Sequence, residues 1–314
     1  MKTSVCLTVF SEEKSVSDLL GSLLIQSKKP DEIVIVDGGS IDKTVDILRH
    51  FQKKDSRIRV LSQKCTRSEG RNLSIEFAKN DIIAMTDAGC VAHKEWLKNI
   101  TSPFEHDGVD IVAGFYVMST KTDFEKAASV FLGVNPRKFD INFLPSTRSI
   151  AFRKSASERI GGFPEDLETT AEDTVFNYNA VKEGLKFSRV EKAIVGWSIP
   201  DNSREYFKKV SEYAKGDVKS GIWWHPSKKL SSHNIKALLV LLRYLLGLVL
   251  IFYALINSFF VLVILSGFIL YSFYAFRKVF SEHNEVKAGL YGVYIQYLTD
   301  IAVIYGFLNG FRKS

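Results

Sequence analysis

The chain reads as an α/β domain on a mainly parallel sheet, with helices on both faces, followed by helices of membrane-spanning length. Three observations lead there. Over residues 1–115 short β-rich runs alternate with helix-length amphipathic segments, the pattern of βαβ units. Acidic and glycine-containing turns recur just after these strands, where ligands bind in open α/β sheets. Ala237–Phe276 then holds a single charged residue, Arg243, over about twice the roughly 20 residues that one bilayer helix needs.

The elements follow in order. Ser4–Phe10 is a first buried strand, and Val16, Leu19, Leu20, Leu23 and Leu24 line one face of a helix that stops before Pro30. Strand, helix and breaker recur in Glu32–Val36 with Lys43–Gln52, Ile58–Leu61 with Ser68–Lys79, and Ile82–Thr86 with Lys94–Ile100. After a strand at Ile111–Gly114 the alternation loosens into longer loops. Ser149–Phe152 and Ala193–Trp197 are expected strands, and Glu172–Lys182 and Ser203–Lys219 expected helices. No internal repeat or low-complexity segment interrupts this order.

At 314 residues and 46% hydrophobic content, the chain has material for one large domain or two modest ones, and disorder is excluded. Its formal charge of +7 and isoelectric point near 9.1 suit an anionic partner, but nucleic acid, anionic lipid and nucleotide phosphates all qualify on charge alone. Charge distribution divides the chain into a globular region, 1–225, and a membrane region, 226–314. Cys6, Cys65 and Cys90 are odd in number and lack CxxC or zinc-ligand spacing, which reads as reduced thiols. Met1-Lys2-Thr3-Ser4 runs straight into a short strand, without the longer apolar core of a signal peptide. The first domain is therefore expected in the cytoplasm.

Two spans fit the apolar stretch, at about 237–256 and 259–276, with Asn257-Ser258 as the turn. Lys228, Lys229, Lys236 and Arg243 lie near one outer end and Arg277 and Lys278 at the other, so both ends are expected on the cytoplasmic side. The competing reading is a buried helical hairpin in a soluble protein. Ala288–Phe311 is a weaker third segment, in which Gln296 and Asp300 share a face. It is expected to lie in the interface or re-enter, with Gln296 and Asp300 toward water or headgroups and Arg312-Lys313 on the cytoplasmic side.

Three turns end strands on one sheet edge: Phe10-Ser11-Glu12-Glu13, Asp37-Gly38-Gly39-Ser40 and Thr86-Asp87-Ala88-Gly89. Each taken alone is ordinary turn chemistry, with Ser40 and Asp42 available as helix caps. Together they resemble the family-2 glycosyltransferases, inverting enzymes that take sugars from nucleotide donors. The resemblance also rests on Asp42-Lys43-Thr44, Arg67-Ser68-Glu69-Gly70-Arg71-Asn72, Gly161-Gly162-Phe163 and Glu172-Asp173, in the family's order over about 200 residues. It implies a Rossmann-like, nucleotide-sugar-binding glycosyltransferase fold of A type.

Residue roles follow from that resemblance. Phe10, Glu12, Asp37, Gly39, Arg71 and Asp87 would bind the donor, with Asp37 at the nucleobase edge and Arg71 offsetting diphosphate charge. Arg148, Gly162, Glu172 and Trp197 would lie on the acceptor side, and Asp173 would be the base that takes the acceptor proton. Asp87 would ligate Mg²⁺ or Mn²⁺, although Gly89 stands where the family commonly has a second Asp. The plain reading of Glu172 and Asp173 is acids favoured in a helix's first turn, and that of Arg71 a solvated helix residue. His93 and His106 read as surface histidines.

The processive synthases' Arg-Trp pair occurs nowhere in this chain. Tyr213-Ala214-Lys215-Gly216-Asp217, ahead of Trp223-Trp224, instead looks like a stretch of some membrane-bound family members. The expected function is transfer of one sugar from a nucleotide-diphosphate sugar to a lipid-linked, polyprenyl-phosphate or membrane-proximal acceptor. A multi-pass membrane protein with its catalytic domain in the cytoplasm is expected, with no nucleic-acid partner. The alternative is a non-catalytic membrane protein that keeps the nucleotide-sugar-binding fold.

Overall fold

A computed structural model of the chain describes residues 1–106, 108–134, 139–167, 170–226 and 228–312. Lys313, part of the expected cytoplasmic C-terminal pair, lies outside the described residues. The chain forms two compact units. The first comprises Met1–Ser119, Pro136–Glu168 and Glu172–Ser198; the second comprises Thr120–Asn135, Thr169–Ala171 and Ile199–Ser314.

The first unit is built on β1 (Thr3–Val9), β2 (Glu32–Asp37), β3 (Ile58–Ser62), β4 (Ile82–Met85), β5 (Cys90–Ala92), β6 (Ile111–Ser119), β7 (Ile150–Arg153) and β8 (Phe187–Ser198). Among the described residues these form one eight-stranded sheet in the order β3-β2-β1-β4-β7-β6-β8-β5. The first four strands are parallel, joined through α1 (Val16–Leu24), α2 (Thr44–Lys54) and α3 (Arg67–Phe77). Every residue of β2 and β4 is buried, as expected of parallel strands covered on both faces. Beyond β4 the sheet is mixed: β7 runs antiparallel to β4 and β6, and β8 parallel to β6.

Val9 pairs with Asp37, while β4 ends at Met85 opposite Cys6. The turns after β1, β2 and β4 therefore share one edge. Gly70 lets α3 lie close on β1, since a Cβ there would sit 2.5 Å from the Thr8 methyl. That contact also positions Arg71, the next residue of α3.

The second half of this unit departs from expectation. β6 runs on to Ser119 and β8 begins at Phe187, because the two strands pair on both sides of an irregularity that takes up residues 190–193 of β8. β5 has three residues, too few for an alternation signal, and forms against β8, with Cys90 opposite Trp197. α4 (Trp96–Thr101) lies close to its expected place, and α6 (Lys154–Arg159) is a short unexpected turn after β7. α7 (Glu172–Lys182) has its expected bounds.

The second unit contains α5 (Asp123–Leu132), α8 (Ser203–Lys219), α9 (His233–Ala254), α10 (Phe259–His283) and α11 (Val286–Gly310). α5 was not expected, although its start was legible: Thr122 accepts the Glu125 N–H at 3.1 Å and Glu125 returns to the Thr122 N–H at 3.1 Å, a capping box. The change of unit falls at Ser198/Ile199, ahead of residue 225, because α8 packs on α11. A Cβ at Gly306 would meet the Ser211 carbonyl and Ala214.

Only 6% of the apolar stretch in each of α9 and α10 is buried, so these two helices do not form a covered core hairpin. α11 is an unbroken 25-residue helix whose small residues face its neighbours. Gly289 meets Phe276, Gly292 meets Val279, and Gly310 meets Val218. The expected exposure of Gln296 and Asp300 is overturned, for they are only 9% and 2% exposed. Asp300 accepts from Arg243 at 2.7 Å, Tyr271 at 2.7 Å, Tyr244 at 3.0 Å and Gln296 at 3.1 Å. Partners from α9 and α10 supply what water or headgroups were expected to supply.

Candidate active site

The turns after β1 and β2 are knitted to one another. Ser11, held at φ 54°, donates its N–H to Ser40 Oγ at 2.7 Å, and the Glu12 N–H reaches Thr44 Oγ1 at 2.7 Å. Asp42 accepts the Glu13 N–H at 3.2 Å and the Thr44 N–H at 3.0 Å. Ser40 is thus a clamp between loops and not a helix cap. Asp37, 1% exposed, accepts the N–H groups of Gly39 and Ser40 at 3.2–3.3 Å.

The two glycines of that turn are needed by the turn itself. Gly39 has φ 96°, and a Cβ on Gly38 would come 3.2 Å from the Cys65 carbonyl. Phe10, 59% exposed, projects at this edge, with half-buried Glu12 beyond it.

The centre of the site is a buried ion cluster. Arg71, 3% exposed, pairs through Nη1 with Glu172 and through Nη2 with Asp87 at 2.9 Å. Nη2 also donates to Thr147 Oγ1 at 2.9 Å, whose hydroxyl donates to Asp87 Oδ2 at 2.9 Å. Arg67 stands 3.5 Å from Glu172. One guanidinium from α3 therefore binds the turn after β4, the loop before β7 and the start of α7. Its Cζ lies 5.4 Å from the Phe163 ring centroid, and that ring stacks on Phe176 at 4.4 Å.

The Gly161-Gly162-Phe163 turn braces this cluster from behind. Asn72 accepts the Phe163 N–H at 2.9 Å and donates to its carbonyl at 2.9 Å. Gly162, at φ 71°, has Asn72 Oδ1 2.7 Å from where a Cβ would be. On the other side, Arg148 lies 3.8 Å from the Trp197 ring centroid and 5.1 Å from that of Tyr116, within cation–π range. Trp197 and Tyr116 meet edge to face at 5.8 Å.

Charge and burial set the protonation states. Burial would raise the Asp87 carboxyl, but Arg71 and then Arg148 outweigh it and hold it below the usual aspartate range. Glu172 behaves likewise: burial is overcome by Arg71 and Arg67, and its carboxyl is held low. Asp173 goes the other way. Burial and then the Glu172 carboxylate raise it, against the pull of Arg71 and Arg148. Adjacent acids with opposed shifts are a mark of acid–base sites.

Asp87 also bears on a cation. Each of its oxygens has one hydrogen bond and keeps acceptor capacity, the carboxylate is ionised, and the side chain is 29% exposed. This fits a divalent ion held by one carboxylate and completed by phosphate oxygens. Among the described residues no three His, Cys, Asp or Glu side chains gather as a metal cage.

The fold thus joins Arg71, Asp87, Arg148, Glu172, Asp173 and Trp197 in one cluster, and gathers Phe10, Glu12, Asp37 and Gly39 at the neighbouring turns. Gly162 supports the cluster from outside it. Arg71 is not a solvated helix residue, and its nitrogens are turned to carboxylates, so it positions Asp87 and Glu172. Sequence reasoning gave no role to Thr147, Arg67 or Tyr116. Arg67 lay inside the Arg-x-x-Gly motif, while nothing local signals Thr147 or Tyr116.

The sheet with its acidic edge defines a glycosyltransferase fold of the A type. The chain belongs to glycosyl transferase family 2, whose family model matches residues 4–160, and it is accordingly a glycosyltransferase. It is 25% identical to glycosyltransferase AglE of Haloferax volcanii over 70% of this chain and 73% of that protein. TarS 1–349 of S. aureus, solved with UDP, superposes with a TM-score of 0.53 at 21% identity, over 69% of this chain and 66% of the fragment. Mannosyltransferase PcManGT from Pyrobaculum calidifontis, solved with GDP-Man and Mn²⁺, gives a TM-score of 0.65 at 17% identity over 95% of this chain and 87% of that one. The last two likenesses show the fold.

Proposed function

We propose that this enzyme transfers a single sugar, with inversion, from a nucleotide-diphosphate sugar to a lipid-linked acceptor at the cytoplasmic face of a membrane. The observation that carries the chemistry is Asp173, a half-buried carboxyl raised beside a cluster that holds Asp87 ionised. Titratable groups driven apart in this way suit a base and an electrostatic anchor. UDP and GDP-Man in the fold neighbours support a nucleotide donor, with Phe10, Glu12 and Asp37 beside the nucleoside.

In the proposed step the acceptor hydroxyl oxygen bonds to the sugar's anomeric carbon as the bond to the diphosphate breaks. Asp173 takes the hydroxyl proton, and the nucleoside diphosphate leaves with the bonding pair. One carboxylate suffices for inversion because no covalent intermediate forms. Asp87 would hold Mg²⁺ or Mn²⁺, which when bound neutralises the leaving diphosphate. Arg67, with its side chain 54% exposed, can add charge-assisted hydrogen bonds to phosphate. Arg71 keeps Asp87 and Glu172 in place, while Arg148, stacked on Trp197, walls the acceptor side.

The exposed apolar faces of α9 and α10 support two membrane spans. Basic residues at both outer ends of the hairpin support a cytoplasmic catalytic unit. Asp173→Asn tests the mechanism. Donor affinity should stay within a few-fold while transfer falls by about 10² or more, the scale for losing a general base. Near-normal turnover would remove Asp173 from the reaction.

A further inference from the structure

We infer that the groove between α8 and α11 binds the phosphate headgroup of an anionic bilayer lipid. The groove has a volume of about 390 Å³ and is lined by Lys208, Lys215, Lys219 and Arg312, with Glu212 and Tyr305 among them. Among the described residues four cationic side chains face one carboxylate. Lys208 and Glu212 are 4.0 Å apart, so that carboxylate offsets little of the charge. Cations in the last turn of a helix answer the helix dipole, which accounts for Lys219; Arg312 lies beyond the last turn of α11, which holds no basic residue. The dipole does not account for Lys208 or Lys215, which lie further back along the same face of α8.

The depth of the groove identifies the ligand. Asn234, fully buried near the start of α9, donates to the Asp217 carbonyl at 2.7 Å and to the Ile222 carbonyl at 2.9 Å. Ser232 caps α9 and donates to the Trp223 carbonyl at 2.6 Å. Val218 of α8, Ala237 of α9 and Phe307 of α11 share one apolar cluster. The end of α8 is thus level with the beginning of the first apolar helix, where a bilayer's headgroups would lie. Trp223 packs on Phe307 and Phe311, and Trp224 is 62% exposed, matching the aromatic belt of that layer. Basic side chains at that depth meet lipid phosphates. The inference rests on the reading of α9 and α10 as membrane spans.

The test uses the full chain in uncharged detergent, with native mass spectrometry of retained lipid after exposure to equal phosphatidylglycerol and phosphatidylcholine. Wild type should prefer phosphatidylglycerol, and Lys208→Gln/Lys215→Gln/Arg312→Gln should lose that preference on the order of a hundredfold, at roughly fivefold per cation. Arg312→Gln alone, at a helix end, should lose about fivefold and serves if the triple variant does not fold. Wild-type preference in either variant overturns the assignment. Displacement of phosphatidylglycerol by a large excess of inorganic phosphate also overturns it, by marking a soluble-phosphate site. Flotation with pure phosphatidylcholine liposomes separates the two readings. If wild type and variants float, the spans stand and the groove is judged on lipid preference alone; if none floats, both fail.

Discussion

Arg71→Met removes the shared cation of the buried ion cluster and leaves Glu172, whose side chain is 5% exposed, as a buried carboxylate short of its main partner. Breaking a buried pair from one side costs about 3–5 kcal/mol. For a unit of this size, roughly 2–4 °C are lost per kcal/mol, so thermal unfolding followed by tryptophan fluorescence should drop by about 10 °C. Adding Glu172→Gln should recover part of that loss, because the buried charge is then gone. The coupling between the two substitutions should be about 1–3 kcal/mol.

The pH dependence gives a second reading of the same pair. The folded state holds Glu172 low, with Arg71 overcoming burial. Its stabilisation is therefore present above the unfolded value of about 4.3 and is lost as pH falls through the lower folded value. The gap between wild type and Arg71→Met should be full at neutral pH and should narrow in acid. A variant that melts within about 2 °C of wild type at neutral pH, or a gap that does not change with pH, would refute the reasoning.

The raised carboxyl of Asp173, set by burial and then by Glu172, should put the acid limb of the kcat/KM profile above the ordinary aspartate value of about 3.9. A limb at or below that value would assign the base elsewhere. Asp87→Ala should weaken donor binding measured with Mn²⁺ present, and excess chelator should weaken it in wild type to a similar extent; undiminished binding in chelator argues against a cation at Asp87. Gly162→Ala meets both a left-handed backbone and Asn72, and should destabilise by about 1–3 kcal/mol in thermal melts; an unchanged melt removes the turn as a brace. On intact cells an impermeant thiol reagent should label Asn257→Cys but not Ser281→Cys, and the reverse pattern would invert the membrane orientation.

Local patterning along the chain was enough for the parallel half of the sheet, because buried strands and amphipathic helices write their periods directly into residues 1–100. It was enough for the acidic turns as well, since β1, β2 and β4 each end in a turn on one edge. The apolar stretch and its turn near Asn257 were equally legible, because α9 and α10 are apolar over most of their length and leave most of those residues exposed. What pairing between distant segments decides was not legible. β5 exists only against β8, and Thr147 becomes part of the site only because Arg71 reaches it across 76 positions of sequence. Arg71 and Asp300 show the same limit. Their residue types allow solvation as readily as burial, and only the carboxylates that meet Arg71, or the Arg243, Tyr244 and Tyr271 that meet Asp300, make burial affordable. Sequence carries the propensity of each segment, whereas desolvation is settled by whichever charges the tertiary fold brings together.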